Sequence, residues 1–261
     1  MLDPDVIDYI FSFLQFDHTA LRQCSTAHPF LALLAQRHLY VYITVQNYPS
    51  RHHPQPSPSE ILNFFLERPE IRDNVVQGLV IELVSLSADL MKDSLARISS
   101  ILSIVADLPR VWSISLRGRC PVTWRSLDQD FKNAFLNCIR SSSVTELFIQ
   151  DIVGFDLSEL DRCRALKRLF LQGRFRQTPM ISDSELKQRC HLDFFSLSNF
   201  RPLVNISFWF PLRILRVLDL RLSKSNFSSF DNLIYYHSGS LTCLRLNLAN
   251  SCKYTPPLNL P

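Results

Sequence analysis

Nucleophilic catalysis needs a thiol or hydroxyl held beside a base. The residue types for it are present: Cys138 and Cys163 could attack, and His28, His38, His191 and His237 could serve as bases. None of them stands in a local context that marks it. Cys138 lies on an apolar stripe with Leu127, Phe131 and Phe135 at helical spacing, which makes it a packing residue. His52 and His53 are adjacent, but no cysteine or third histidine lies at ligand spacing, so no metal site is expected. The five glycines are not clustered. The phosphate-cradling G-x-x-x-x-G-K-[ST] and G-x-G-x-x-G loops are absent, as is the G-x-S-x-G elbow. The expectation is a protein that is not an enzyme and takes no cofactor.

Composition narrows the remaining classes. The chain has 261 residues, of which 46% are hydrophobic and 20% charged, so it has enough apolar material to fold. Its seven cysteines are odd in number and none are in C-x-x-C spacing, which argues against a disulfide framework and for a reducing compartment, cytoplasmic or nuclear. Asp3, Asp5 and Asp8 stand where a secretory signal would carry a basic segment. No apolar run reaches the roughly 18 residues of a membrane helix, so no membrane partner is expected. The net charge of +4 is mild, and nucleic-acid binding would need its cations gathered on one face.

With chemistry of its own unsupported, binding surfaces become the subject, and the elements that carry them. The stretch "LDPDVIDYIFSFL" opens a helix: Asp3 is an N-cap, Pro4 suits the first helical position, and Val6, Ile7, Ile10, Phe11 and Leu14 recur at helical spacing. Phe13 lies off that stripe. A second segment, "TALRQCSTAH", has Thr19 as a cap and Leu21 and Cys24 three apart. After Pro29 a third, "FLALLAQRHLYVYI", sets Leu31, Leu34, Ala35, His38 and Leu39 on one face. Three helices this short have little room for a core of their own, so their apolar surface should need a partner.

Residues 1–45 resemble an F-box, in particular the fungal kind. Leu2, Pro4, Asp5, Val6, Ile7, Ile10, Phe11 and Leu14 match the family's opening, Ala20-Leu21 and Cys24-Ser25 its middle, and "AQRHLYVYITV" its close. The family's usual Val-Cys-Arg-x-Trp/Phe run reads Ala27-His28-Pro29-Phe30-Leu31 here. The resemblance implies contact with the adaptor subunit of an SCF ubiquitin ligase, and through it the cullin. It assigns that contact to Leu2, Pro4, Val6, Ile7, Ile10, Phe11, Leu14 and Leu21. The alternative is that these helices only cap the rest of the chain.

Residues 46–59 read as an extended linker, since "NYPSRHHPQPSPS" has four prolines and no apolar period. Ser59-Glu60 then caps a short helix, "EILNFFLER". Beyond it, apolar-x-x-apolar-x-apolar recurs at Val76, Val111, Val144, Leu166, Leu192, Leu215 and Leu241, with steps of 35, 33, 22, 26, 23 and 26 residues. Between copies the period changes to a helical one. Met91, Leu95, Ile98, Leu102 and Val105 share a face, as do Leu127, Phe131, Phe135 and Cys138, and Phe230, Leu233, Ile234 and His237. Strand then helix, repeated, is the logic of a solenoid.

The segment from about Val75 to Asn250, within a domain that runs over residues 60–261, resembles an irregular leucine-rich-repeat array. The fold expected is therefore α+β: a three-helix F-box followed by an α/β solenoid with a parallel strand face. The pairing implies a substrate receptor of an SCF-type E3 ligase. The alternative is a leucine-rich-repeat scaffold without a ligase link. By alternation the third, fifth and seventh positions of each copy face outward. They hold Arg117, Arg168, Arg221 and Arg245 against Glu82, Glu146 and Asp219, which is no phosphate-binding stripe. The expected protein-substrate face centres on Phe148, Phe170 and Phe194, with Phe148 and Phe170 side by side, Phe194 diagonal to them, and Arg168 and Arg221 flanking.

Overall fold

The computed structural model describes residues 3–14, 17–48, 56–84, 88–173, 192–198, 215–223 and 239–249. Leu2, the central linker residues 49–55 and the helix expected around Phe230 lie outside them.

Three helices open the chain: α1 (Pro4–Phe13), α2 (His18–Ala27) and α3 (Pro29–Leu39). Each start is a side chain that accepts a backbone N–H left without an intrahelical partner. Asp3 accepts from Asp5 N at 2.9 Å, and His28 Nδ1 accepts from Phe30 N at 3.1 Å ahead of Pro29. The cap of α2 is Asp17, accepting from Ala20 N at 2.9 Å, and not Thr19. The helices do enclose a small core of their own, built on Phe11, Leu21, Leu34 and Ala35 with Ile7, Leu14, Cys24 and Leu39 packed on it. His38 Nε2 and Asp8 Oδ1, 2.9 Å apart, tie α3 to α1.

The rest is a mixed helix and strand structure around an eight-stranded parallel sheet whose spatial order follows the chain: β1 (Tyr42–Gln46), β2 (Gly78–Leu83), β3 (Ser113–Thr123), β4 (Glu146–Val153), β5 (Arg168–Gln172), β6 (Phe194–Ser198), β7 (Val217–Ser223) and β8 (Cys243–Ala249). All seven copies of the apolar template became strands. The copies are in register, so Leu79, Ile114, Leu147, Leu169, Phe195 and Leu218 form one buried row and Ile81, Leu116, Ile149, Leu171, Leu197 and Leu220 the next. Parallel strands need crossovers, and crossovers are right-handed. Steps that all go the same way along the sheet then put the crossovers on one face, and among the described residues no helix packs on the other.

That covered face carries α4 (Pro58–Glu67), α5 (Pro69–Asn74), α6 (Ala88–Ala106) and α7 (Gln129–Ile139). Ile61, Phe65, Leu95, Ile98, Leu102, Val105, Phe131, Phe135 and Cys138 join the strand residues in one core. The α6 and α7 stripes are those that the helical spacing predicts.

Two boundaries differ from expectation. An eighth template copy, Tyr40-Ile43-Val45, forms β1, so a domain end at residue 45 falls inside a strand that pairs with β2. Gln46 and Asn47, expected in the linker, are buried. The Asn47 side chain donates to Val84 O (2.9 Å) and accepts from Val84 N (2.8 Å). The linker ends early as well. Ser57, not Ser59, caps α4 in a reciprocal box with Glu60, because Pro58 presets the first helical φ.

At the last described strand the inner rows are uncovered: Leu244 and Leu246 are 41% and 43% exposed, where their counterparts in β7 are buried. Each inner residue is buried by the strand that follows, and β8 has none among the described residues.

β3 is the longest strand, and its pairing with β4 shifts register between Arg117 and Val122. Gly118 makes this bulge possible. A Cβ there would lie 2.5 Å from the Cys120 carbonyl oxygen and 2.8 Å from that of Asp151. Both are backbone atoms and cannot swing aside, so Gly118→Ala is expected to destabilise by about 2–3 kcal/mol. Denaturant unfolding measures it, and a neutral result would mean that the bulge relaxes freely.

Candidate functional site

On the bare face the outward residues stand in register rows. Phe148 lies opposite Phe170, and Phe194 opposite Arg168. Phe148 and Phe170 are side by side with ring centroids 5.9 Å apart, as the spacing predicts. The diagonal pair Phe170–Phe194 is tighter, at 4.8 Å. All three rings are partly exposed, so they form a ridge on the surface and are not core.

Two arginines cover this ridge. The Arg168 guanidinium sits 5.6 Å from the Phe170 centroid and 5.5 Å from that of Phe194, and pairs with Glu146 at 2.9 Å. The Arg117 guanidinium sits 4.9 Å over Phe148, and its Nε donates to Ser115 Oγ at 2.8 Å. Burial lowers the pKa of Arg117, with the Glu82 carboxylate pulling the other way. That carboxylate has partners of its own, all on Oε2. It accepts from Gln46 Nε2 at 2.8 Å and from Arg119 Nε and Nη2 at 3.1 and 3.0 Å.

Arg221 does not flank the rings. It is exposed on β7 four residues beyond Val217, the partner of Phe194, or about 13 Å along the strand. Arg117 holds the place expected for it. The signal was available, because a long side chain reaches diagonally to the residue two places from its direct partner, and Phe148 is two places from Gln150, the partner of Arg117.

The residues matched to the adaptor-binding pattern divide into two sets. Phe11 (4% exposed) and Leu21 (0%) are interior, so a partner cannot reach them without opening the helices, while Ile7 and Leu14 pack against the same core and stay partly exposed. Pro4 is exposed, as are Val6 and Ile10, each at 45%. Tyr9 (66%) and Phe13 (70%) complete a second stripe of α1, with their rings edge-to-face at 4.9 Å. Positions 6, 9, 10 and 13 are i, i+3, i+4 and i+7, a pattern legible from the start once α1 is read as having two apolar faces. Val6 and Ile10 therefore belong to the outward stripe.

The candidate nucleophiles pack in the core. Cys138 is fully buried and desolvation pushes its thiol up to about 12, which disfavours the reactive thiolate, and Cys163 is buried too. His38 pairs with Asp8 and His28 caps α3. His191 and His237 lie outside the described residues. Among the described residues no group of three or more His, Cys, Asp or Glu could hold a metal ion, and no helix is long and apolar enough to cross a membrane. No family model matches the chain, and neither a curated protein nor a solved structure is significantly similar to it.

Proposed function

We propose that the chain is a substrate-recognition subunit of an SCF-type cullin–RING E3 ubiquitin ligase, acting in the cytoplasm or nucleus. Its first three helices are the F-box-like module that binds the adaptor. The sheet and its backing helices are an irregular leucine-rich-repeat-like solenoid whose bare face binds a protein substrate. The observation that carries this reading is the outward apolar stripe Val6, Tyr9, Ile10 and Phe13 on a helix whose own core is already filled by other residues. Four large apolar side chains held in water on one helical face are a docking surface. The work is positional: one end holds the ligase and the other holds the substrate, which raises its local concentration at the ubiquitin-loaded enzyme.

A second reading, a scaffold whose helices only cap the repeats, draws support from the connection. α3 runs almost directly into β1, and Tyr40 between them stacks on Phe64 of α4 at 4.8 Å. A cap would turn its apolar stripe inward, however, and this stripe faces solvent. Co-purification with the adaptor separates the two. The truncation should begin at Tyr40, because removal through residue 45 would also take away β1. The expected result is that the full chain retains the adaptor and the truncated chain loses it while keeping its circular-dichroism signal. Loss of the fold in the truncated chain, or no retention by the full one, would favour the scaffold.

A further inference from the structure

We infer that the ligand of the bare face is an extended acidic peptide segment, with an Asp or Glu carboxylate seated on Arg117 and a neighbouring apolar side chain on the Phe148–Phe170–Phe194 ridge. This rests on the reading of that face as a substrate surface and gives the substrate its chemistry.

The charge pairing decides it. Arg117, Arg119 and Arg168 meet Glu82 and Glu146 around the ridge, and at its β7 edge Asp219 lies opposite Arg245. Arg168 is neutralised by Glu146, and Glu82 by Arg119. Arg117 is left over: among the described residues it forms no ion pair, and its only hydrogen bond runs from Nε to Ser115. Its terminal nitrogens are not sealed from solvent. A half-buried guanidinium has already lost part of its hydration, so a carboxylate arriving there gains a charge-assisted pair at little further desolvation cost. The Arg117 guanidinium carbon rests 4.9 Å over the Phe148 ring, and its terminal nitrogens make no hydrogen bond among the described residues. One uncompensated charge matches a monoanion. A phosphate dianion would bring a second negative charge against Glu82 and Glu146 with no cation to meet it. The adjacent ridge sets the second requirement, because partly wet aromatics are favoured anchors for apolar groups. Open register rows across parallel strands suit an extended segment lying over them.

The test selects short random peptides, displayed on phage, against the purified full chain with no adaptor present. It stands apart from the ligase reading, since failure to bind adaptor leaves this selection unaffected and failure here leaves adaptor binding unaffected. The expected result is enrichment of Asp or Glu next to Phe, Leu or Trp. Arg117→Gln should weaken the best synthetic peptide by at least about tenfold and abolish its preference over the Asn or Gln analogue. Glu82→Gln, which removes the competing carboxylate, should strengthen the acidic peptide. Any of three outcomes overturns the proposal: no enriched acid, unchanged binding by Arg117→Gln with unchanged melting temperature, or tighter binding of a phosphoserine analogue. If Arg117→Gln melts early, Glu82→Gln carries the decision alone.

Discussion

Phe135→Ala lowers the unfolding free energy by about 3–5 kcal/mol and the melting temperature by roughly 10 °C. Phe135 is fully buried on α7, in a knot of rings formed with Trp124 (5.8 Å), Phe131 (6.3 Å) and Phe155 (6.3 Å). Trp124 and Phe155 meet edge-to-face at 4.8 Å beside it. Truncation removes ring contacts on every side and opens a cavity among large rigid groups that cannot collapse into it. The knot backs β3 and β4, the strands that present Arg117 and Phe148, so loss of peptide binding should accompany loss of stability. Thermal unfolding by circular dichroism measures the effect. A shift below about 1 kcal/mol would mean that the ring knot is loosely packed.

On the proposed adaptor-binding reading, Ile10→Asp together with Phe13→Asp should abolish adaptor binding and leave the melting temperature nearly unchanged. Both side chains are in water on the outward stripe of α1, so their loss removes no interior contact. Two carboxylates on a face meant to be desolvated would have to be buried unpaired, at a cost that cancels an apolar interface. Leu14 is unsuited to this test. It packs on the three-helix core, and a charge there would unfold the module and mimic a loss of binding. Adaptor retention measured with the double variant decides. Full retention would remove the outward stripe from the interface.

The strands were the most legible part. The apolar-x-x-apolar-x-apolar phrase located β2 to β8, since alternation in a strand buried on one face is a local property of a few residues. The same phrase at Tyr40-Ile43-Val45 overlaps the end of a helical motif, and local pattern does not tell which element claims a shared stretch. Helix starts were legible to within a residue or two. Asp17 and Ser57 displaced Thr19 and Ser59 because each lay two places ahead of the segment's apparent cap.

The three phenylalanines and their outward direction were determined by sequence alone, because strand register follows once each copy is aligned to the next. Burial of Phe11 and exposure of Phe13 were not. Both are apolar residues on one short helix, and which stripe faces inward depends on where α2 and α3 pack. The charge pattern of the bare face was likewise a tertiary matter. Arg117, Arg119 and Glu82 can be counted from the sequence, but Glu82 stands 35 residues before Arg117. Only the paired strands, with the bulge at Gly118, bring Arg119 rather than Arg117 onto that carboxylate. Composition determined how many charges the face holds. Long-range geometry decided which one is left without a partner, because an ion pair is a matter of a few ångströms between side chains that the chain itself keeps far apart.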